Sequence, residues 1–171
     1  MARELHDHFF HEAKREGYRS RAAYKLIEID DRRSILSKGD RVLDCGCAPG
    51  SWMQAALRRI GEAGVMVGVD LQAVPPIPNA DNCFIHQADL REIDDEVLLA
   101  HTDGKPFDVI LSDMAPNTTG DRTIDHYGSM RLCELVRDRA ASLLKPGGCI
   151  GLKVLEGAGY PQFVDPLKDR F

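Results

Sequence analysis

The sequence predicts an α/β fold: a mostly parallel open sheet with helices packed on both faces. Three observations lead there. Short, near-continuous apolar runs of strand length recur along the chain; longer stretches with helical spacing of apolar residues separate them; and Gly/Pro punctuation falls between the two kinds. At 171 residues the chain suits one domain, residues 1–171, with a helical prelude over 1–40 and the α/β core over 41–171. Hydrophobic residues at 43% and charged residues at 29% exclude a disordered or collagen-like chain.

The prelude carries an apolar stripe, Ala22, Ala23, Leu26 and Ile29, expected to pack on the sheet. Arg41–Cys45 reads as the first strand, followed by a Gly/Pro loop and a helix from about Ser51 to Ile60. Val65–Asp70 is the second strand, then a loop around Pro75, Pro76 and Pro78; Cys83–Gln87 is the third, before a helix near Asp94 to Ala100. Phe107–Asp113 is the fourth. A long helix, roughly Asp125 to Leu144, has Met130, Leu132, Cys133, Val136, Ala140 and Leu143 at helical spacing. Lys145-Pro146-Gly147-Gly148 is expected to stop it, and Cys149–Leu155 is the fifth strand.

Charge and cysteine content narrow the setting. No apolar run approaches the roughly 18 residues that span a bilayer, and the start from Met1 to His6 lacks the apolar stretch of a secretory signal. The odd count of five cysteines fits reduced core thiols, so a cytoplasmic protein with no membrane partner is expected. The net charge of −5 makes a generally cationic surface untenable, but Lys14, Arg15, Arg19, Arg21 and Lys25 cluster against one acid, Glu16, with Tyr18 and Tyr24 interleaved. Such a patch can hold nucleic-acid phosphates while aromatic faces stack on bases; the alternative is a solvated helix face whose tyrosines pack inward.

The loop Asp44-Cys45-Gly46-Cys47-Ala48-Pro49-Gly50-Ser51-Trp52 is a tight strand-to-helix turn that lets a ligand approach the backbone. The three glycine positions of a dinucleotide fingerprint read Gly46, Ala48 and Ser51, which argues against a nicotinamide dehydrogenase. Asp44 ahead of the turn, Asp70 ending the second strand and Asp89 after the third suit a nucleoside that carries positive charge and no phosphate. S-adenosylmethionine meets that description. Loop residues Asp44, Gly46, Ala48, Pro49, Gly50 and Ser51, with Asp70 and Asp89 and their neighbours Leu71 and Leu90, are the expected cofactor contacts. The bland alternative is a βαβ turn whose acids cap helices.

Two later strands also end in charge. Asp113 closes the fourth, in Ser112-Asp113-Met114-Ala115-Pro116-Asn117, and Lys153 is placed inside the fifth. A lysine within a sheet needs a partner or a site, and adjacent fourth and fifth strands would bring Lys153 to Asp113. A lysine snorkelling from a strand end is the competing reading. His6-x-His8-x-x-His11 and Cys45-x-Cys47 lack a full zinc ligand set, so no metal is expected.

Tyr18-Arg19-Ser20-Arg21-Ala22-Ala23-Tyr24-Lys25-Leu26, the Asp44–Trp52 loop, Ser112–Asn117 and Leu152-Lys153-Val154 occur in the order that resembles the FtsJ/RrmJ family of S-adenosylmethionine-dependent ribose 2′-O-methyltransferases. The likeness runs from about Phe9 onward. It implies a Rossmann-like methyltransferase fold and a Lys-Asp-Lys-Glu tetrad whose first three members match Lys25, Asp113 and Lys153. It also implies cofactor contacts at Gly50, Trp52, Asp70, Asp89 and Asp113, while the basic run of Lys14, Arg15, Arg19, Arg21 and Lys25 is itself expected to dock RNA phosphates. The compact form resembles members acting on a uridine in the A-loop of large-subunit ribosomal RNA, within the large subunit; tRNA-modifying members of the family leave a second substrate open.

Ser51 stands where the family has a second glycine. The family's final glutamate and last two strands lie beyond Phe171, so a C-terminally shortened copy is expected, and Glu156 is not given the missing role. The fifth strand would then be an edge, prone to association, although a monomer is the expected state. A non-catalytic RNA-binding module is the rival this leaves. For an active enzyme, Lys153 either takes the 2′-hydroxyl proton as that oxygen attacks the sulfonium methyl, or orients the hydroxyl and steadies negative charge.

Overall fold

The computed structural model describes residues 11–155 together with 157, 160, 163 and 164. Residues 11–15 are helical, and helix α1 spans Ala23–Arg33. Then come β1 (Arg41–Cys45), α2 (Ser51–Ile60), β2 (Val65–Asp70), β3 (Cys83–Gln87) and α3 (Asp95–Leu99), which runs into a single 3₁₀ turn, Ala100–Thr102. β4 (Phe107–Ser112), α4 (Arg122–Leu143) and β5 (Leu144–Leu152) complete the order. All pairings are parallel and the strand order is β3-β2-β1-β4-β5, so the chain reverses direction of growth at β1 and β4. That switch point is where open α/β sheets form a crevice at their carboxyl ends.

Strand residues alternate between two covered faces. Val42, Met66, Val109 and Leu111 join the core beneath α1 and α2, built with Leu26, Trp52 and Met53. Leu43, Val67, Val69 and Ile110 face the other way, onto Leu98 of α3 and Val136, Ala140 and Leu143 of α4. Full burial of Val42, Leu43, Asp44 and Cys45 follows from this two-sided cover.

Three expectations need correction. The stripe of α1 is only partly buried: Ala23 and Leu26 are in the core, but Ile29 is 38% exposed. The acid Asp30 takes an inner position instead, because its carboxylate accepts from Leu36 N at 2.9 Å and meets Arg59 at 3.2 Å. β5 begins directly at Leu144, since that residue already pairs with Phe107; Lys145–Gly148 forms an irregularity inside the ladder before Val109 meets Cys149. β5 also ends at Leu152, so Lys153 lies just past the strand rather than within it. β5 is one edge of the five-stranded sheet among the described residues, and β3 is the other. Glu156, His6, His8, Phe9 and the final Asp169–Phe171 lie outside the described residues.

α4 starts where Asp121 accepts from Thr123 N and Ile124 N at 2.8 and 3.1 Å, satisfying donors a helix start leaves open. Among the described residues, no helix is long and apolar enough to cross a membrane.

Candidate active site

The crevice is built from the strand ends upward. β1 leads into a turn with Gly46 at φ +77° and Gly50 at φ +104°, values that L side chains resist. A Cβ on Gly46 would also lie 2.0 Å from Met114 Cγ, so the turn closes only around a hydrogen. Gly46 N and Cys47 N both donate to Val69 O, at 2.8 and 3.2 Å. Asp70 accepts from Ala48 N and Gln72 N, each at 2.8 Å, and thereby fastens the glycine loop to the end of β2. Ser51, the departure from a second glycine, is buried and shares a 2.8 Å hydrogen bond with Ser20.

Beneath the loop lies Asp44, 1% exposed, with neither carboxylate oxygen hydrogen-bonded. Burial, then the charges of Asp113 and Asp70, push its pKa up to about 8. An unpartnered buried carboxylate is costly unless something cationic arrives to use it.

At the next strand ends, Lys153 N donates to Ser112 O at 2.9 Å, which sets the lysine against the end of β4. Its Nζ lies 2.8 Å from Asp113 Oδ1 and also donates to the Asp113 carbonyl. This pairing, rather than a place inside the sheet, is what makes the half-buried ammonium affordable. Lys25, Ile29, Trp52, Asp113, Lys153 and Tyr160 line one cavity of about 430 Å³, with Leu152 and Val154. Two lysines and an aspartate from α1, the end of β4 and the end of β5 therefore face a common space.

The remaining residues foreseen from sequence divide. Trp52 is buried in the cavity wall, its Nε1 donating to Ala22 O at 2.9 Å. Leu90 is buried and Leu71 is 66% exposed. Asp89 is clasped by the Arg91 guanidinium and accepts from Arg91 N at 2.9 Å, which holds its carboxyl down to about 2. In the basic segment, Lys14, Arg15, Arg21 and Lys25 are exposed, with Arg15 pairing with Glu12 at 3.4 Å. The interleaved tyrosines do not present stacking faces. Tyr18 is buried beneath Arg58, whose guanidinium sits 4.1 Å from the ring centre, and Tyr24 meets it edge-on at 5.9 Å. The Arg19 guanidinium donates to Pro49 O at 3.0 Å and Pro76 O at 2.7 Å. Among the described residues no three or more His, Cys, Asp or Glu side chains group to hold a metal ion.

Ile29 and Tyr160 were not foreseen as cavity residues. Ile29 follows Lys25 by one helical turn, a spacing that puts both on one side of α1. No comparable signal in the sequence marks Tyr160.

Comparisons with known proteins bear on the family and the fold. A model of the FtsJ-like methyltransferase family matches residues 18–171. The chain is 44% identical over 171 residues to ribosomal RNA large subunit methyltransferase E of Granulibacter bethesdensis, covering 100% of this chain and 72% of that one. A solved structure assigned as a ribosomal RNA methyltransferase from Plasmodium falciparum superposes with a TM-score of 0.78 at 32% identity, covering 89% of this chain and 86% of that one. Aeropyrum pernix fibrillarin, solved with S-adenosyl-L-methionine, shares the fold at a TM-score of 0.55 and 19% identity, over 79% of this chain and 58% of that one. The chain belongs to the FtsJ-like methyltransferase family. It is accordingly a methyltransferase with a Rossmann-like parallel sheet.

Proposed function

We propose that this methyltransferase methylates the 2′-hydroxyl of a ribose in large-subunit ribosomal RNA, with a uridine of the A-loop as the target. The observation that carries this reading is the meeting of Lys25, Asp113 and Lys153 in one open cavity beside the glycine turn. S-adenosylmethionine, when bound, supplies an electrophilic sulfonium methyl. The residues present fit it: the orphaned Asp44 carboxylate gives a cation a buried partner, and the turn around Gly46 and Gly50 leaves backbone exposed to a ligand. Asp44, the turn from Gly46 to Ser51, Trp52, Asp70 and Asp113 form the holding set, with Leu71, Asp89 and Leu90 at its β2 and β3 flank.

Lys153 supports the second of its two foreseen roles. Its ammonium is ion-paired with the Asp113 carboxylate and donates to the Asp113 carbonyl, so it acts as a cationic donor, orienting the 2′-oxygen and steadying the negative charge that grows there. Asp113 positions that ammonium, and Lys25 adds a second cation to the same cavity. Transfer would form the oxygen–methyl bond as the sulfur–methyl bond breaks, its electron pair returning to sulfur as a neutral thioether, while the hydroxyl proton leaves through the open mouth of the cavity to water. Ile29 and Tyr160 give the wall an apolar flank on which a nucleoside rests.

The chain acts as one unit over residues 1–171, a monomer in the cytoplasm meeting RNA in the large ribosomal subunit. Exposed Lys14, Arg15, Arg21 and Lys25 supply phosphate contacts. The test is transfer of labelled methyl groups to large-subunit RNA and to tRNA, followed by nucleoside mapping. Label in a ribose 2′-O-methyluridine of the large-subunit RNA is expected; label confined to tRNA or to bases would reject this substrate.

A further inference from the structure

We propose that Arg19 is a positioning residue, one that staples together the two loops bordering the S-adenosylmethionine crevice instead of contacting RNA. The inference rests on the methyltransferase reading of that crevice. Its basis is where the guanidinium donors go. Nη1 donates to the carbonyl of Pro49, in the glycine turn, and Nη2 to the carbonyl of Pro76, between β2 and β3. These two backbone segments follow different strands, and the arginine bridges them from a third segment of the chain.

The local sequence explains why a bridge is needed. Pro49, Pro75, Pro76 and Pro78 lack N–H groups, so neither loop can close on the other through its own backbone donors at these positions. Arg19 supplies, from outside both loops, donors that these exposed carbonyls accept. Gly50 makes the fit close: a Cβ there would stand 2.6 Å from Arg19 Nη1 and 3.2 Å from Ile77 Cδ1, so arginine, turn and proline loop touch at one point. Arg19 is itself held, its backbone N donating to Gln54 Oε1 at 2.8 Å, while Gln54 Nε2 donates to Gly17 O at 2.8 Å. The fork is thus anchored on α2, the helix that the glycine turn begins. A planar guanidinium serves both carbonyls at once, whereas the single ammonium of lysine does not reproduce that fixed two-pronged geometry.

The staple makes cofactor affinity, rather than RNA affinity, the property that depends on Arg19. Arg19→Ala and Arg19→Lys should be compared with the unmodified full chain by three measurements. Amide hydrogen exchange of the ligand-free protein should show faster exchange confined to residues 46–50 and 72–80 in Arg19→Ala, with Arg19→Lys intermediate. Titration calorimetry should show S-adenosylmethionine dissociation constants raised about tenfold or more in Arg19→Ala and less in Arg19→Lys. The salt dependence of binding to a large-subunit RNA fragment should stay unchanged. Unchanged cofactor affinity, a reduced RNA salt slope, or exchange accelerated evenly over the whole sheet would each overturn the proposal. If the unmodified chain binds no S-adenosylmethionine, the methyltransferase reading of the crevice fails separately; unaltered exchange in the two loops then overturns the staple on its own.

Discussion

Asp44 shows how one side chain joins stability to ligand binding. Its folded pKa is raised from 3.8 to about 8, so between those values the folded chain holds a proton that the unfolded chain has released. The stability of the free protein should therefore decline as pH climbs from about 4 through about 8. Asp44→Asn removes that penalty, so its stability advantage in urea denaturation should widen from pH 5 to pH 8; parallel pH curves would contradict it. The same variant should bind S-adenosylmethionine more weakly, and the unmodified chain should bind it better as pH rises, because only the ionised carboxylate attracts a cation. Lys153→Ala, by contrast, should lower methyl transfer about a thousandfold with cofactor affinity retained. Asp113 and Lys153 are legible in the sequence because charge at successive strand ends converges by topology. Arg19 is not, since nothing in a run of basic residues marks the one whose partners are carbonyls far along the chain.

Among the elements, β1, α2, β2 and β3 have the bounds the sequence predicts, because each opens directly after a turn-forming residue: Asp40, Gly50, Gly64 and Asn82. The errors fall where pairing overrides local punctuation. Gly147 and Gly148 read as a break between helix and strand, yet Leu144 already pairs with Phe107, and the glycines occupy an irregularity within β5. α4 begins at Arg122 rather than near Asp125 because Asp121 is the cap, while Asp125 accepts from Thr119 and Gly120 outside the helix. Asp121→Ala should cost about 1 kcal/mol of stability by thermal denaturation, the loss of one helix cap. A loss close to zero would mean that the Asp121 cap does not define the helix start.

Across the whole molecule, the sheet is tied at one end and left open at the other. Asp108 takes Arg41 Nε and Nη2 at 2.8 and 2.9 Å and Lys145 Nζ at 2.7 Å, linking β1, β4 and β5 at the end away from the crevice. Arg41, then Lys145, hold its carboxyl well below the usual carboxylate range, so this stabilisation is present above about pH 4 and is lost as pH falls further. Asp108→Asn should cost about 2 kcal/mol at neutral pH and progressively less in acid, which urea titrations at several pH values will show. The opposite end holds Asp44, the glycine turn and the Lys25–Asp113–Lys153 cavity, the arrangement expected of a site that takes a nucleoside cofactor on one side and a ribose on the other. That two-sided crevice is the central claim, and nucleoside mass spectrometry of large-subunit RNA after incubation with S-adenosylmethionine tests it most directly. The unmodified chain should yield a 2′-O-methylated ribose that Lys153→Ala fails to produce; equal methylation by the two proteins would contradict the account.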